Sequence, residues 1–293
     1  MKYSTTYSNL FAILQLVAAP WTTSAFGSTT SSHRVAFSGL QDQQFRHPLD
    51  RDLTSLIKLA PGINLAEQAF RRAFPLLEEG TKLDLLASSV KVSEKQLPEL
   101  DSLLNEACRV LEIETPPELY VQSNTQANAY TTAFSKGKTP IVVVTSALVD
   151  RCTPQELQAI LGHELGHLKC EHSFYLTLGG LATAPLRVAL PFGIGSNVAD
   201  SVLQDWRLAA EYSCDRAALL VAQDVQVVTS AMLKLFAGTS SAEINAEAFV
   251  EQAKEYETLL QTANPAIRAS IQNQARTHPL PVRRVAELKR WFQ

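Results

Sequence analysis

Residues 163–167 of the chain read His-Glu-Leu-Gly-His, and this short stretch constrains the fold more than any other. On an α-helix a four-residue step turns about 400°, so both imidazoles leave one face a turn apart. Two nitrogen donors so placed, His163 and His167, can bridge one Zn²⁺. Glu164 lies about 100° round from His163, beside the metal. A carboxylate there can take a proton from metal-activated water without becoming a ligand. The flanks favour a helix: Thr153 suits the N-cap, Pro154 the first helical position, and Glu156 closes a T-x-x-E capping box. Leu157, Ile160, Leu161, Leu165 and Leu168 supply a broad apolar stripe, so the helix is expected to be buried.

Two histidines leave a catalytic zinc one protein ligand short. A later helical stretch, Glu211-Tyr212-Ser213-Cys214-Asp215, offers candidates. Glu211 and Asp215 share a face, so one can ligate while the other orients a ligating histidine. Ala209, Ala210, Ala217, Ala218, Leu219 and Leu220 surround them, which argues for burial.

A chain of 293 residues, 46% hydrophobic and 19% charged, has enough apolar material for a substantial core. Its formal charge of −3 gives no reason to expect nucleic acid as a partner. Cys108, Cys152, Cys170 and Cys214 are too few and too scattered for a disulfide framework. They read as small buried apolar groups, with a redox role for Cys170 and Cys214 left open.

From His47 onwards the pattern is globular. Leu53 to Leu59 and Leu65 to Leu77 carry helical spacing, separated by Pro61-Gly62. A further helix opens at Ser93 or Pro98 and is stopped by Pro116-Pro117. Leu119 to Gln122, Ala127 to Phe134 and Ile141 to Thr145 read as strands, the last two as a hairpin. A small sheet just before the metal-bearing helix suits a cover over the site, with an edge able to accept an extended peptide. Phe174 to Ala199 is apolar but punctuated by Gly179-Gly180, Pro185, Pro191 and Gly193. That pattern predicts two short arms rather than a spanning helix, able either to dip into a membrane interface or to pack on the core. A long helix follows from near Asn197 to Gln223, and the rest is helical up to Trp291. The expected class is α+β, mainly helical, with a small β-sheet over the zinc helix, in one domain over 46–293.

The first 45 residues read as a targeting presequence. Lys2 precedes an apolar run, Leu10 to Ala19, short for a bilayer span and suited to a signal peptide, with Thr23-Ser24-Ala25 as a cleavage region. Residues 26–45 are rich in Ser and Thr and poor in acids, as in a transit peptide. This signal-like 1–25 followed by transit-like 26–45, joined at Ser24-Ala25-Phe26, resembles the bipartite plastid presequences of diatoms and related algae. A plain secretory signal with a linker is the alternative.

Three segments together carry a family resemblance: His163-Glu164-x-x-His167, Glu211-x-x-x-Asp215, and Thr277-His278-Pro279 followed by Arg284. They resemble the zinc metallopeptidases that include HtpX and the CaaX prenyl endopeptidases, a gluzincin group, and most of all its soluble-looking plastid and cyanobacterial members. Asn128-Ala129-Tyr130 matches the family's Asn-Ala segment above the site. The resemblance implies a gluzincin-like fold and one Zn²⁺ held by His163, His167 and Glu211, with Glu164 as general base and acid. It further implies that Asp215 orients a ligand, that His278 and Arg284 hold substrate or stabilise the oxyanion, and that Asn128 contacts substrate backbone. Integral-membrane members carry transmembrane helices that the mature part of this chain lacks, which favours general endopeptidase activity over prenylated-peptide processing. A protein or peptide substrate is therefore expected, with peripheral contact to a plastid membrane or lipid body through 174–199. The rival reading is a non-catalytic zinc-binding assembly or membrane quality-control adaptor.

Overall fold

The computed structural model describes residues 37–73, 75–133, 139–189, 194–239, 244–272 and 278–292. The signal-like segment and most of the transit-like one lie outside these residues, as does Thr277. Residues 37–45, expected to belong to the presequence, contribute Phe37, Leu40 and Phe45 to the main core. The packed chain thus begins earlier than the expected boundary at residue 46.

Three helices, α1 (Pro48–Leu59), α2 (Ile63–Ala73) and α3 (Pro75–Ser88), lead into strand β1 (Ser89–Lys91) and helix α4 (Pro98–Val110). Strands β2 (Glu118–Gln122), β3 (Ala129–Thr132) and β4 (Ile141–Thr145) follow. The sheet order is β1-β2-β4-β3, with β2 parallel to β4 and both outer strands antiparallel to their neighbours. The expected hairpin is β3–β4, in register from Ala129 opposite Val144 to Thr132 opposite Ile141. β1 carries no alternating pattern long enough to read from sequence and forms through pairing with β2. All five residues of β4 are buried. The sheet is covered on both sides, as its unbroken Ile-Val-Val-Val run suggests: Val142 and Val144 enter the main core, while Ile141 and Val143 pack with Leu85 of α3.

A short helix α5 (Ser146–Arg151) precedes the predicted metal-bearing helix α6 (Pro154–Lys169). Its capping box is formed as expected: the Glu156 amide donates to Thr153 Oγ1, and the Thr153 amide donates to Glu156 Oε2 at 2.7 Å. Helices α7 (His172–Ala189) and α8 (Ile194–Ala222) form a hairpin, and α9 (Val225–Ala237), α10 (Ala246–Thr262), α11 (Pro265–Gln272) and α12 (Pro281–Phe292) complete the chain.

α7 differs from the expected pair of broken arms. It runs unbroken through Gly179-Gly180 and Pro185 to Ala189. Gly179 serves packing there: an added Cβ would stand 2.4 Å from the ring of Trp206 on α8. Phe174, Tyr175 and Leu178 are buried with Leu203 and Trp206, so the first half of α7 belongs to the core. Side chains of 182–189 and 194–199, including Leu186, lie outside the description, as do residues 190–193 with Phe192. No helix among the described residues is long and apolar enough to cross a membrane.

Candidate metal centre and active site

The site depends on how closely α6 and α8 approach. Gly162 and Gly166 face α8, where a Cβ on Gly162 would lie 2.8 Å from Val221 Cβ and one on Gly166 3.0 Å from Cys214 Cα. Residue numbers rise along one helix as they fall along the other, so the pair is antiparallel. With only hydrogen on those α-carbons, the backbones close up and side chains from α6 meet those of α8 directly.

His163, His167 and Glu211 converge. His163 Nε2 lies 3.4 Å from Glu211 Oε2, and His167 Nε2 lies 3.4 Å from Glu211 Oε1. Asp215, one turn on from Glu211, stands behind His163, with Oδ1 3.1 Å from Nδ1. That contact makes Nδ1 the protonated nitrogen and turns the Nε2 lone pair towards Glu211. Cys214 Sγ also lies within 4.8 Å of ligand atoms of both histidines. It sits 3.5 Å from His172 Nδ1, on the Nδ1 side of His167, and burial raises its thiol well above the ordinary range. Glu211, facing both Nε2 atoms, is the better third donor. Two imidazoles and a carboxylate form a donor set that suits a catalytic zinc with an open fourth position.

The charges around these donors are mutually supporting. Burial opposes ionisation of Glu211, but bonds from His163, His167 and His278 hold its carboxyl well below the usual range. Burial likewise opposes a charge on His163, yet bonds to Asp215 and Glu211 lift its imidazole to about 9.

Glu164 is buried and points to the sheet side. Thr131 of β3 donates to its Oε2 at 2.8 Å, which fixes the carboxylate beside the histidines. Thr131 was not legible as a site residue, since nothing in a Thr-Thr strand marks one hydroxyl as special. β3 is an outer strand of the sheet, and its Thr131 side chain reaches the site. Asn128 just precedes it, with its backbone tied to Thr145 in both directions. Its exposed side chain lines a cavity of about 540 Å³ beside His163 and Glu164. Ile160, Ala218, Val228, Met232 and Leu235 give that cavity an apolar wall.

The two C-terminal residues differ in their contacts. The side chain of His278 is 60% exposed, lines the cavity, and lies with Nδ1 2.7 Å from Glu211 Oε2. Arg284, expected to hold substrate or stabilise the oxyanion, also lines the cavity, and its guanidinium engages Asp215 behind His163. Its Nε donates to Asp215 Oδ2 at 2.9 Å, one terminal nitrogen donates to Asp215 Oδ1, and the same nitrogen lies 3.3 Å from His163 Nδ1.

A second support, behind His167, was missed from sequence. His172 Nδ1 lies 3.1 Å from His167 Nδ1, and its Nε2 lies 3.0 Å from Asp50 Oδ2 on α1. Burial drives the His172 imidazole down to about 4, so it is neutral at physiological pH. Five residues on a helix would carry it about 140° away from the His167 face. The chain turns at Cys170-Glu171, with Glu171 in the left-handed region (φ 51°), and swings His172 back. Asp50, 122 residues away in sequence, left no signal at all.

The profile of peptidase family M48 matches residues 94–292. The chain belongs to peptidase family M48. Among M48 relatives, the plastoglobule-localized metallopeptidase 48, chloroplastic, of Arabidopsis thaliana is 40% identical over 261 residues, covering 88% of this chain and 74% of that protein. Protease HtpX homolog 2 of Methanosarcina acetivorans is 35% identical over 106 residues, 35% of each chain. The crystal structure of S. mikatae Ste24p aligns with a TM-score of 0.42 at 16% identity, covering 81% of this chain and 65% of that one. M48 membership makes this protein a metallopeptidase.

Proposed function

We propose that the chain is a zinc-dependent endopeptidase with one Zn²⁺ held by His163, His167 and Glu211 and with Glu164 as general base. The observation that carries this reading is the convergence of both imidazole Nε2 atoms on the two oxygens of Glu211, with the Glu164 carboxylate held beside them by Thr131. When bound, zinc supplies Lewis acidity that polarises a peptide carbonyl and lowers the pKa of water. Glu164 takes the proton of the attacking water and returns it to the departing amine. β3 pairs with an extended substrate at its free edge, Asn128 contacts the substrate backbone, and the apolar cavity accepts a large apolar side chain next to the cleaved bond. His278, exposed at the cavity mouth, approaches the carbonyl oxygen as it gains charge. Asp215 and Arg284 act through His163 by fixing its orientation.

Glu164→Gln tests the mechanism. It should retain zinc, because Glu164 is beside the ligands rather than among them, and lose roughly 10²–10⁴-fold in casein turnover. Metal content and turnover measured on one preparation decide it. Undiminished turnover sinks the mechanism, while a wild-type protein that binds zinc and cleaves nothing favours the adaptor reading.

For location, we infer a plastid protein whose presequence ends before Phe37, supported by the buried Phe37 and Leu40 and by the chloroplastic relative. We also propose peripheral contact with lipid. The cluster of Phe174, Tyr175, Leu178, Leu203 and Trp206 is bordered by elements that expose Leu56, Leu59, Leu65 and Leu181, and the relative named above is plastoglobule-localized.

A further inference from the structure

The two histidines of the proposed zinc site are supported in different ways. His163 is backed by a carboxylate, Asp215, that is itself held by Arg284. His167 has no carboxylate behind it among the described residues, only the ring of His172. The identity of the proton between those two rings decides whether His167 can ligate at all. An imidazole presents a lone pair at Nε2 only when its proton sits on Nδ1.

Asp50 resolves the ambiguity. It is fully buried and receives Trp206 Nε1 at 3.0 Å, Ser213 Oγ at 2.7 Å and the Arg46 guanidinium at 3.1 Å. A carboxylate surrounded by those donors is an acceptor, so His172 Nε2 must carry the proton that fills the 3.0 Å contact. His172 Nδ1 then holds a lone pair and accepts from His167 Nδ1–H, which leaves the His167 Nε2 lone pair facing Glu211. Cys214 Sγ, 3.5 Å from the same His172 nitrogen, can only compete as a weaker donor and does not alter the direction.

We propose that His172 and Asp50 are positioning residues that set the tautomer of His167 and thereby its competence as a metal ligand. The inference rests on the reading that His167 ligates zinc. It gives the buried Asp50 network, which joins α1 to the metal helix from outside the cleft, a function beyond packing. Loss of such an outer partner costs roughly 10–100-fold in metal affinity.

The test compares wild-type protein with His172→Phe and His172→Asn. Phe keeps the ring volume without an acceptor, and Asn places a carbonyl oxygen near the position of Nδ1. Zinc affinity is measured by chelator competition, alongside thermal unfolding of the metal-free proteins. The expected result is about 10–100-fold weaker zinc binding for His172→Phe, with His172→Asn returning to within a few-fold of wild type. Equal affinity in wild type and His172→Phe overturns the proposal. So does an Asn variant as weak as the Phe variant when both metal-free proteins melt like wild type. If His172→Phe does not fold, a long-range ¹H–¹⁵N spectrum of the zinc-loaded wild type decides instead. A proton on His172 Nε2 alone supports the relay, and one on its Nδ1 overturns it. Failure of the zinc-site reading itself is distinguished by His163→Ala, which would then bind zinc as tightly as wild type.

Discussion

At the scale of single residues, the site consists of pairs in which one partner was legible and the other was not. Asp215 could be read from its spacing to Glu211, but its tie to Arg284 spans 69 positions and only the fold reveals it. Burial opposes the charge on Asp215, and the nearby Arg284 charge overcomes it and keeps the carboxyl below the usual range. Arg284→Ala therefore strands a buried carboxylate beside His163. Removing one member of a buried ion pair costs about 3–5 kcal/mol, and urea unfolding of the metal-free protein should show a loss of that order. A loss below about 1 kcal/mol would mean that Arg284 belongs to the substrate cleft after all. The Glu164 partner Thr131 shows the same limit: a strand hydroxyl becomes functional only through what it faces.

At the scale of elements, α6 was the most legible part of the chain, because its cap, proline and apolar stripe are all local. Its capping glutamate has a second task that local reasoning could not show. Glu156 also accepts from Ser230 Oγ at 2.6 Å and Lys234 Nζ at 2.7 Å, so the start of α6 is tied to α9. Burial disfavours the charge on Glu156, but the bonds from Lys234 and Ser230 outweigh it and lower its pKa from 4.5. A carboxylate lowered in the folded state stabilises above its unfolded pKa and loses that contribution on acidification. Glu156→Gln should thus cost about 1–3 kcal/mol at neutral pH and flatten the decline in stability below pH 4.5. Melts of both proteins across that range check it, and parallel curves would refute it. α7 marks the opposite case. Its Gly-Gly and Pro read as breaks, yet Gly179 is a contact site for Trp206, and packing overrides the local preference.

For the molecule as a whole, the question is what meets the exposed leucines beside the α7–α8 hairpin. Leu59 is 83% exposed and Leu181 60%, on two elements whose other faces pack into one apolar cluster. The lipid-contact proposal predicts that protein lacking residues 1–36 floats with phosphatidylcholine vesicles, and that Leu59→Glu with Leu181→Glu does not. Both substitutions are on exposed positions, so the double variant should keep its melting temperature. Equal flotation of the two proteins, or none by either, removes the claim.

Helix start, apolar stripe, the His-Glu-x-x-His face and the Glu211–Asp215 face all depend on spacings of a few residues. A chain can be read for such features because the helix repeat converts them directly into direction. The mainly helical class followed from that, and so did the helix faces that carry His163, His167, Glu211 and Asp215. Tertiary structure alone decided which side of α8 meets α6, how closely Gly162 and Gly166 let them approach, that Arg284 serves Asp215, and that Asp50 reaches His172 across the core. These are contacts between residues tens to hundreds of positions apart. They form only where burial strips water from polar groups, which then bind whatever partner the packing supplies.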